Sequence, residues 1–377
     1  MKSNFINWLH KDISSRLASV GNPQDSYKII QITGTNGKGS VSSMIYSCLL
    51  EAGYRVGLYT KPSLISVCEK IRVGKEYISP NEFNCHENDI INTYITALKY
   101  FHDKGCEYAI IENEIGALTD YTCTLNPYMA IITNVDYDHQ DILGRTLEEI
   151  CRNKCGIYKP SVVYPIVGDV NNSCKMVVED VCKNNGISPI YAMEYEGKVY
   201  KSGFYGNYQL NNEKIACCAA NLLGIDEKHI ELGLKNVKEN SGLRGRWEII
   251  CEQPKIIIDV GHNMNAWNYH IKFLEDEVSK GKKIGLVFSM MRDRPIREIF
   301  SKIPKDVVVY ACRVDRTQLP TVEYISSIAK SEGVKCKSCN NGPCEAIDNA
   351  IEDECDIILC SGSFFLCGEI LKDWKKK

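Results

Sequence analysis

Residues 28–44 read KIIQITGTNGKGSVSSM, a mostly apolar run that leads into a loop with three glycines, one lysine and one serine. The mostly apolar residues 28–32 predict a buried β-strand, and the pattern of residues 41–52 predicts an α-helix. Glycines allow backbone N–H groups to turn towards an anion, and a helix N-terminus adds partial positive charge. The stretch therefore predicts a phosphate-binding loop, formed by Gly34, Thr35, Asn36, Gly37, Lys38, Gly39 and Ser40.

Two side chains of this loop suit the same ligand. Lys38 would reach the β- and γ-phosphates of a nucleotide, and the Ser40 hydroxyl would bind magnesium. The spacing departs from the usual nucleotide-binding pattern in two ways. Only two residues, instead of four, separate the first glycine from the Gly-Lys pair, and Gly39 separates Lys38 from Ser40. A dinucleotide loop is excluded because the third glycine is missing. A glycine-rich turn without a ligand remains the alternative.

Length and composition bound the class of protein. A chain of 377 residues with 44% hydrophobic and 25% charged residues is typical of a globular enzyme of two or three domains. The formal net charge of -3 gives no basic field for nucleic acid. No stretch has the apolar length that crosses a bilayer, and the N-terminus lacks a secretory apolar core. We expect a cytoplasmic monomer without nucleic-acid or membrane partners.

The cysteines indicate a reducing compartment rather than a disulfide framework. Their number, 19, is odd, and most stand singly in apolar surroundings. Cys336 and Cys339 have the spacing of a zinc-binding pair, with Cys344 close by. Because a second pair or a nearby histidine is missing, a zinc site there is the weaker alternative.

Strand and helix patterns alternate along the chain and predict an α/β fold with parallel sheets. A phosphate-loop domain is expected over residues 1–241, followed by a smaller Rossmann-like α/β domain over residues 242–377. Residues 239–245 are predicted to form the linker, and a helix is expected near Leu210 after an irregular region. The further predicted strands are 55–59, 108–112, 129–133 and 162–167 in the first domain, and 255–259, 283–288, 306–312 and 355–360 in the second.

Ionisable side chains stand where the strands of the first domain should end. Glu112 closes one predicted strand, His139 follows another, and Lys154 lies on a helix that starts with a capping-box pattern at Thr146. Mg²⁺ prefers few hard ligands plus phosphate oxygens, so their convergence on the loop predicts a magnesium site. Taken singly, each has a simpler explanation as a surface histidine or a solvated lysine.

A second polar cluster follows the apolar residues 256–258. The segment 259–263 reads DVGHN, and residues 291–294, MRDR, follow a later strand. Such clusters at strand ends suggest a site, and a polar turn is the alternative.

Motifs in order along the chain resemble those of the folylpolyglutamate synthase and dihydrofolate synthase family, within the Mur ligase superfamily. The resemblance runs nearly end to end, and its most specific part is the loop of residues 34–40. The other matching segments are 134–139, 143–146, 153–159, 206–212, 244–246, 259–263, 293–294 and 361–363.

The resemblance implies ATP-dependent amide bond formation through an acyl phosphate. It implies that Ser40, Glu112 and His139 bind magnesium and that Lys154, as its carbamate, bridges to a second magnesium ion. The predicted catalytic residues are Lys38, Lys154, Arg246 and His262. The predicted nucleotide-binding residues are the loop 34–40 together with Asn212, Arg246, Asp259 and His262.

Departures from the family pattern concern the acid substrate more than the nucleotide. Lys61 stands where the family usually has a metal-binding serine, Leu118 replaces an arginine, and Met264 replaces a proline. We hypothesise that Lys61 partly substitutes for one magnesium ion or alters its ligation, with Glu112 or Glu114 compensating its charge. The alternative is a Lys61 side chain that points into solvent.

Three functions therefore compete. The first is a ligase that joins a folate-type or dihydropteroate-like acid to glutamate. The second is a specialised ligase with the same mechanism that joins another small carboxylic acid to an amino acid or amine. The third is a nucleotide-binding regulator or NTPase, which the joint presence of Lys154, His139 and His262 disfavours.

Overall fold

The structure is a computed structural model that describes residues 2–83, 89–317 and 319–374. It divides into two compact units. The first unit comprises Met1–Ser63, Val67–Gly203 and Tyr208–Leu243, and the second comprises Leu64–Ser66, Phe204–Asn207 and Arg244–Lys377.

The first unit is built on an eight-stranded sheet. Its strands are β1 (Lys28–Thr33), β2 (Val56–Tyr59), β3 (Ile71–Val73), β4 (Glu76–Tyr77), β5 (Tyr108–Glu112), β6 (Met129–Asn134), β7 (Tyr164–Asp169) and β8 (Ile190–Tyr191). Its helices are α1 (Lys2–Ser19), α2 (Lys38–Glu51), α3 (Pro80–Phe83), α4 (Ile90–Asp103), α5 (Gln140–Leu143), α6 (Leu147–Lys154), α7 (Asn172–Asn184), α8 (Gln209–Leu222), α9 (Glu227–Lys235) and α10 (Val237–Ser241).

Strand order places the candidate site at one edge of this sheet. The order is β4-β3-β2-β5-β1-β6-β7-β8. The strands β2, β5, β1, β6, β7 and β8 are parallel, whereas β3 pairs antiparallel with both β2 and β4. The central strand β1 lies between β5 and β6 and is buried from Ile29 to Thr33. Because β2, β5, β1 and β6 run the same way, the segments that follow them emerge at the same edge.

Helix α2 continues directly from the loop after β1. It packs against α8 and α9, and its residues from Gly39 to Leu49 are buried. A helix that is buried on all sides has no polar face to expose. Serines occupy several of its buried positions, and their small side chains allow the neighbouring helices to approach closely. The loop is therefore fixed to a rigid element.

The second unit has a six-stranded sheet of order β13-β12-β11-β14-β10-β9, in which only β9 is antiparallel. Its strands are β9 (Glu248–Glu252), β10 (Lys255–Asp259), β11 (Ile284–Phe288), β12 (Val308–Cys312), β13 (Lys335–Cys339) and β14 (Ile357–Ser361). Its helices are α11 (Met264–Ser279), α12 (Ile296–Lys302), α13 (Val322–Ser331), α14 (Pro343–Glu352) and α15 (Phe364–Asp373). Asp259 and Ser361, the last residues of β10 and β14, are register partners.

The predicted fold class is confirmed, since both units are α/β with mainly parallel sheets. The strands β5 and β10 have the predicted bounds. Five short or polar strands, β3, β4, β8, β9 and β13, were not predicted, because strands at or next to a sheet edge lack the apolar run of a central strand. No helix in the described part of the chain is long and apolar enough to cross a membrane.

Most other predicted strands differ from the observed ones by one or two residues at their ends, and two further boundaries were predicted wrongly. Helix α2 begins at Lys38 instead of residue 41, because Gly37 forms its N-cap with φ +80° and the glycine-rich loop gives no apolar signal for its first turn. The predicted linker 239–245 begins inside α10, which ends at Ser241, and Gly242 is the left-handed residue that terminates it.

Candidate active site

The loop after β1 has a shape that only glycine permits at two positions. Gly34 and Gly37 have φ values of +152° and +80°. A β-carbon at Gly34 would collide with the hydroxyl of Thr133, and one at Gly37 would collide with the side-chain oxygen of Asn212. The loop backbone therefore lies directly against the end of β6 and the first turn of α8.

Asn134 holds the loop in place from the end of β6. Its side-chain oxygen accepts hydrogen bonds from the backbone N–H groups of Thr35 and Asn36, at 3.1 and 2.9 Å. The Thr35 hydroxyl donates to the carbonyl of Asp136 at 3.1 Å and accepts from its N–H at 3.0 Å. Asn134 was not among the predicted site residues, although a polar residue at a strand end is the signal that could have found it.

The first turn of α2 brings Lys38 and Ser40 to the loop. Backbone N–H groups in a first helical turn lack intrahelical acceptors, so this turn can bind an anion. The Lys38 ammonium donates to the carbonyls of Gly34 and Thr35, at 3.0 and 3.1 Å. The ammonium therefore lies across the loop, beside the N-terminus of the helix.

Helix α8 supplies the partners of Ser40. The Gln209 amide donates to the Ser40 hydroxyl at 3.3 Å, and Asn212 donates to Gln209 at 2.8 Å. All three side chains are buried. Asn212, predicted to bind nucleotide, thus contacts the loop at Gly37 and orients the amide that holds Ser40.

Glu112 and Lys61 stand at the ends of the neighbouring strands β5 and β2. Glu112 is buried, and its carboxylate accepts the backbone N–H of Lys61 at 3.3 Å. The Lys61 ammonium lies 2.9 Å from the Glu114 carboxylate and 4.3 Å from the centre of the Tyr121 ring, with 9% of its side chain exposed. The alternative that Lys61 points into solvent is therefore wrong.

Lys154 is buried at the end of α6. The predicted capping box is present, with Thr146 and Glu149 each bonded to the other's backbone. Burial, together with the nearby Lys38 ammonium, lowers the pKa of Lys154 to about 7. A substantial share of this lysine is therefore a neutral, nucleophilic amine at neutral pH, and the alternative of a solvated helical lysine is wrong.

His139 follows β6 in a left-handed conformation, with φ +48°. Its backbone N–H donates to Asp138 at 2.9 Å, and its Nε2 lies 3.8 Å from the same carboxylate. Within the described residues, no group of three or more His, Cys, Asp and Glu side chains is placed to bind a metal, which also leaves the zinc alternative at Cys336 without support. The carboxylate of Glu112 and the hydroxyl of Ser40 are hard oxygen donors, so their chemistry fits magnesium when phosphate oxygens complete the ligand set.

In the second unit, Arg246 and His262 both lie close to one aromatic ring. The Arg246 guanidinium lies 5.5 Å from the centre of the Phe364 ring, and the His262 ring lies 5.4 Å from it. His262 Nδ1 donates to the carbonyl of Val260 at 3.0 Å, which leaves Nε2 as the basic nitrogen of the neutral ring. A cation, an imidazole and an aromatic face together suit a planar, charged ligand.

Asp259 has a role that the sequence did not reveal. Its carboxylate accepts the backbone N–H groups of Trp247 and Gly261, both at 2.9 Å, and contacts Nε2 of His270 at 3.0 Å. Asp259 is 4% exposed. Its carboxylate therefore links, through hydrogen bonds, the two segments that carry Arg246 and His262.

Comparison with known proteins identifies the family. The Mur ligase middle domain matches residues 32–186, and the Mur ligase, glutamate ligase domain matches residues 245–364. A dihydrofolate synthase/folylpolyglutamate synthase of Buchnera aphidicola subsp. Baizongia pistaciae is 31% identical, over 90% of this chain and 85% of its own. This chain belongs to the folylpolyglutamate synthase and dihydrofolate synthase family.

Solved structures agree with this assignment of the ligase. A folylpolyglutamate synthase from Thermotoga maritima is 26% identical with a TM-score of 0.78, covering 98% of this chain and 94% of its own. The Mycobacterium tuberculosis folylpolyglutamate synthase complexed with ADP and AMPPCP has the same fold, with a TM-score of 0.81 at 22% identity over 98% of this chain and 96% of its own. The predicted family and the predicted class of enzyme, an ATP-dependent ligase, are confirmed.

The structure brings the predicted loop residues of the ligase together with Asn212, and it places Glu112 at the end of the adjacent strand. In the second unit it groups Arg246, Asp259 and His262. Sequence reasoning missed the residues that hold these groups in place, namely Asn134, Gln209, His270 and Phe364. The individual roles predicted for the site residues stay predictions.

Proposed function

We propose that the ligase transfers the γ-phosphoryl group of ATP to a carboxylic acid and then joins the acyl group to the amine of glutamate. The acid is of the folate or dihydropteroate type. The amine attacks the acyl phosphate, the C–N bond forms, and phosphate leaves. The glutamate ligase domain and the family membership support this function, and the observation that carries it is the glycine loop with its lysine at the start of α2.

Phosphate binding falls to the loop. The N–H groups of the first turn of α2 bind the phosphates, and the Lys38 ammonium exchanges the carbonyls of Gly34 and Thr35 for phosphate oxygens. This exchange costs little, because the replaced contacts are two neutral acceptors of the loop itself. Asn134 fixes the conformation of the loop by accepting hydrogen bonds from the N–H groups of Thr35 and Asn36.

Lys154 acts as its carbamate. The neutral amine attacks carbon dioxide, the C–N bond forms, and a proton is released to solvent. The lowered pKa of about 7 supports this step, because only the unprotonated amine reacts. The product replaces a buried neutral amine with an anion that has two hard oxygen donors.

Ser40, Glu112 and the Lys154 carbamate would hold magnesium, with His139 as a further ligand. When bound, the ion neutralises phosphate charge during the transfer. Two buried oxygen-bearing side chains beside a phosphate loop support this ligand set. Glu112 is held by the N–H of Lys61, so its carboxylate is already oriented.

Nucleotide binding also uses the second unit. Arg246 and His262, which both lie close to Phe364, contact ATP through charge and ring stacking. Asp259 contributes by shaping this region, since both of its oxygens are engaged by neighbouring groups.

A specialised ligase for a different acid is the second candidate. Lys61 and Leu118 support it, because a buried ammonium paired with Glu114 and an exposed leucine alter the surroundings of the acid. In either case we place the enzyme in the cytoplasm, where every described cysteine can remain a free thiol, and as a monomer, which sedimentation would measure.

A coupling assay tests the proposal. The enzyme is incubated with ATP, magnesium and a panel of folate-type and other acids, each with and without glutamate or another amine. Phosphate release should require both an acid and an amine, and mass spectrometry should find their condensation product. Release with neither would instead indicate an NTPase, and coupling of only non-folate acids would favour the second candidate.

A further inference from the structure

A buried row of three side chains lies at the carboxyl ends of β10 and β14. Asp259 and Ser361 are register partners at the last positions of these strands, and His270 of α11 packs over them. His270 Nε2 lies 3.0 Å from the Asp259 carboxylate, and His270 Nδ1 lies 3.5 Å from the Ser361 hydroxyl. None of the three residues is more than 4% exposed.

The chemistry of the row fixes which nitrogen of His270 carries a proton. A carboxylate only accepts hydrogen bonds, so Nε2 must be the donor to Asp259. In the neutral ring Nδ1 then accepts, and the single hydroxyl proton of Ser361 faces both Nδ1, at 3.5 Å, and the carbonyl of Gly261, at 3.4 Å. Each member of the row therefore has a partner of the right kind.

Asp259 connects His270 to the two segments that carry the nucleotide-binding side chains. One carboxylate oxygen accepts the N–H of Trp247, the residue next to Arg246. Trp247 has a φ of +50°. The other oxygen accepts the N–H of Gly261, the residue next to His262. Without the Nε2–H donor, the buried carboxylate would lose one of its hydrogen bonds, and water could not replace it.

His270 also limits the position of Gly261. A β-carbon at Gly261 would lie 2.5 Å from Cε1 of His270, so the ring sits directly against this backbone. The indole N–H of Trp267, one helical turn before His270, donates to the Gly261 carbonyl at 3.1 Å. The backbone of Gly261, which leads to His262, is thus held by the ring of His270 and by hydrogen bonds with Trp267 and Asp259.

We infer that His270 is a positioning residue for ATP binding: through Asp259 it sets the places of Arg246 and His262. The inference rests on the proposed function, because the nucleotide roles of Arg246 and His262 belong to it. His270 itself is buried, and we do not expect it to touch the nucleotide. Its effect should appear in nucleotide affinity and not in the affinity for the acid.

The test compares two amides that differ by one methylene. In His270→Gln the side-chain nitrogen can reach the place of Nε2, whereas in His270→Asn the amide is too short to reach Asp259. His229→Asn, in the first unit, is the control for loss of an imidazole. Each variant is measured by calorimetric titration with ADP, by KM for ATP and for the acid, and by its melting temperature.

His270→Asn should weaken ADP binding and raise KM for ATP by about tenfold, with KM for the acid unchanged. His270→Gln should stay within about threefold of the parent. Equal ADP affinity of the Asn variant and the parent would overturn the inference, as would equal losses in both amides. A parent enzyme that binds no ADP would overturn the proposed function itself and the inference with it.

Discussion

The ammonium of Lys61 lies 2.9 Å from the carboxylate of Glu114, where the parallel strands β2 and β5 end side by side. The backbone N–H of the same lysine donates to Glu112, the buried carboxylate at the end of β5. Lys61 therefore pairs its ammonium with one carboxylate and holds a second one through its backbone. Its charge is compensated by Glu114, one of the two partners that the sequence suggested.

This arrangement predicts an altered magnesium requirement. Lys61→Ser removes the resident cation, so half-maximal activity should need several-fold more magnesium, because one positive charge near the phosphates must be replaced. Lys61→Ala should lower turnover. The measurement is a magnesium titration of ATP consumption for both variants and the parent. Three superimposable titrations would show that Lys61 has no part in charge balance.

Lys38→Ala should abolish turnover without unfolding the protein. The Lys38 ammonium bonds only to two loop carbonyls among the described residues, so little stability depends on it, whereas the phosphates lose their cation. Lys183→Ala, an exposed lysine of α7, is the matched control. Activity and melting temperature are measured together, and a fully active Lys38→Ala enzyme would contradict the phosphate-loop assignment.

Asn134 should contribute both stability and nucleotide affinity. Asn134→Ala removes the side-chain oxygen that two loop N–H groups share, while the backbone carbonyl at position 134 still accepts from Thr35, and we expect a cost of about 1–3 kcal/mol in the free energy of unfolding. Asn134→Asp keeps an acceptor oxygen and should retain most of that stability, although its negative charge should raise KM for ATP. Urea unfolding and ATP kinetics separate the two effects. Unchanged stability in the alanine variant would mean that the loop keeps its shape without Asn134.

Carbamylation of Lys154 predicts a dependence on carbon dioxide and pH. With a pKa of about 7, the amine becomes protonated as the pH falls through 7, so carbamate formation and activity should fall there. Degassed buffer should lower activity, and bicarbonate should restore it. Lys154→Ala should be inactive and partly rescued by acetate or formate, whereas Lys38→Ala should gain nothing from either. A Lys154→Ala enzyme with full activity and no added carboxylate would disprove the role.

The local parts of the site could be predicted from the sequence. A loop of glycines with a lysine and a serine, placed between an apolar run and a helix, has one main physical use, so Gly34, Gly37 and Lys38 could be recognised. Capping chemistry likewise predicted the start of α6 at Thr146, because the capping box depends on residues three apart.

Long-range contacts could not be predicted in this way. The partners of Asn134 lie about a hundred positions earlier in the chain, and the pKa of Lys154 depends on burial and on Lys38, neither of which a helical pattern contains. His270 lies on the helix after the recognised segment 259–263, and its role appears only when β10 and β14 are paired.

In the proposed reaction an acyl phosphate links the acid to the amide, and the fate of one carboxylate oxygen shows whether it forms. An acid substrate from the coupling panel is labelled with ¹⁸O in both carboxylate oxygens and incubated with enzyme, ATP and glutamate. Because the carboxylate oxygen that attacks phosphorus leaves with phosphate, each amide formed should yield one phosphate that carries one ¹⁸O. Amide formation with unlabelled phosphate would contradict the mechanism.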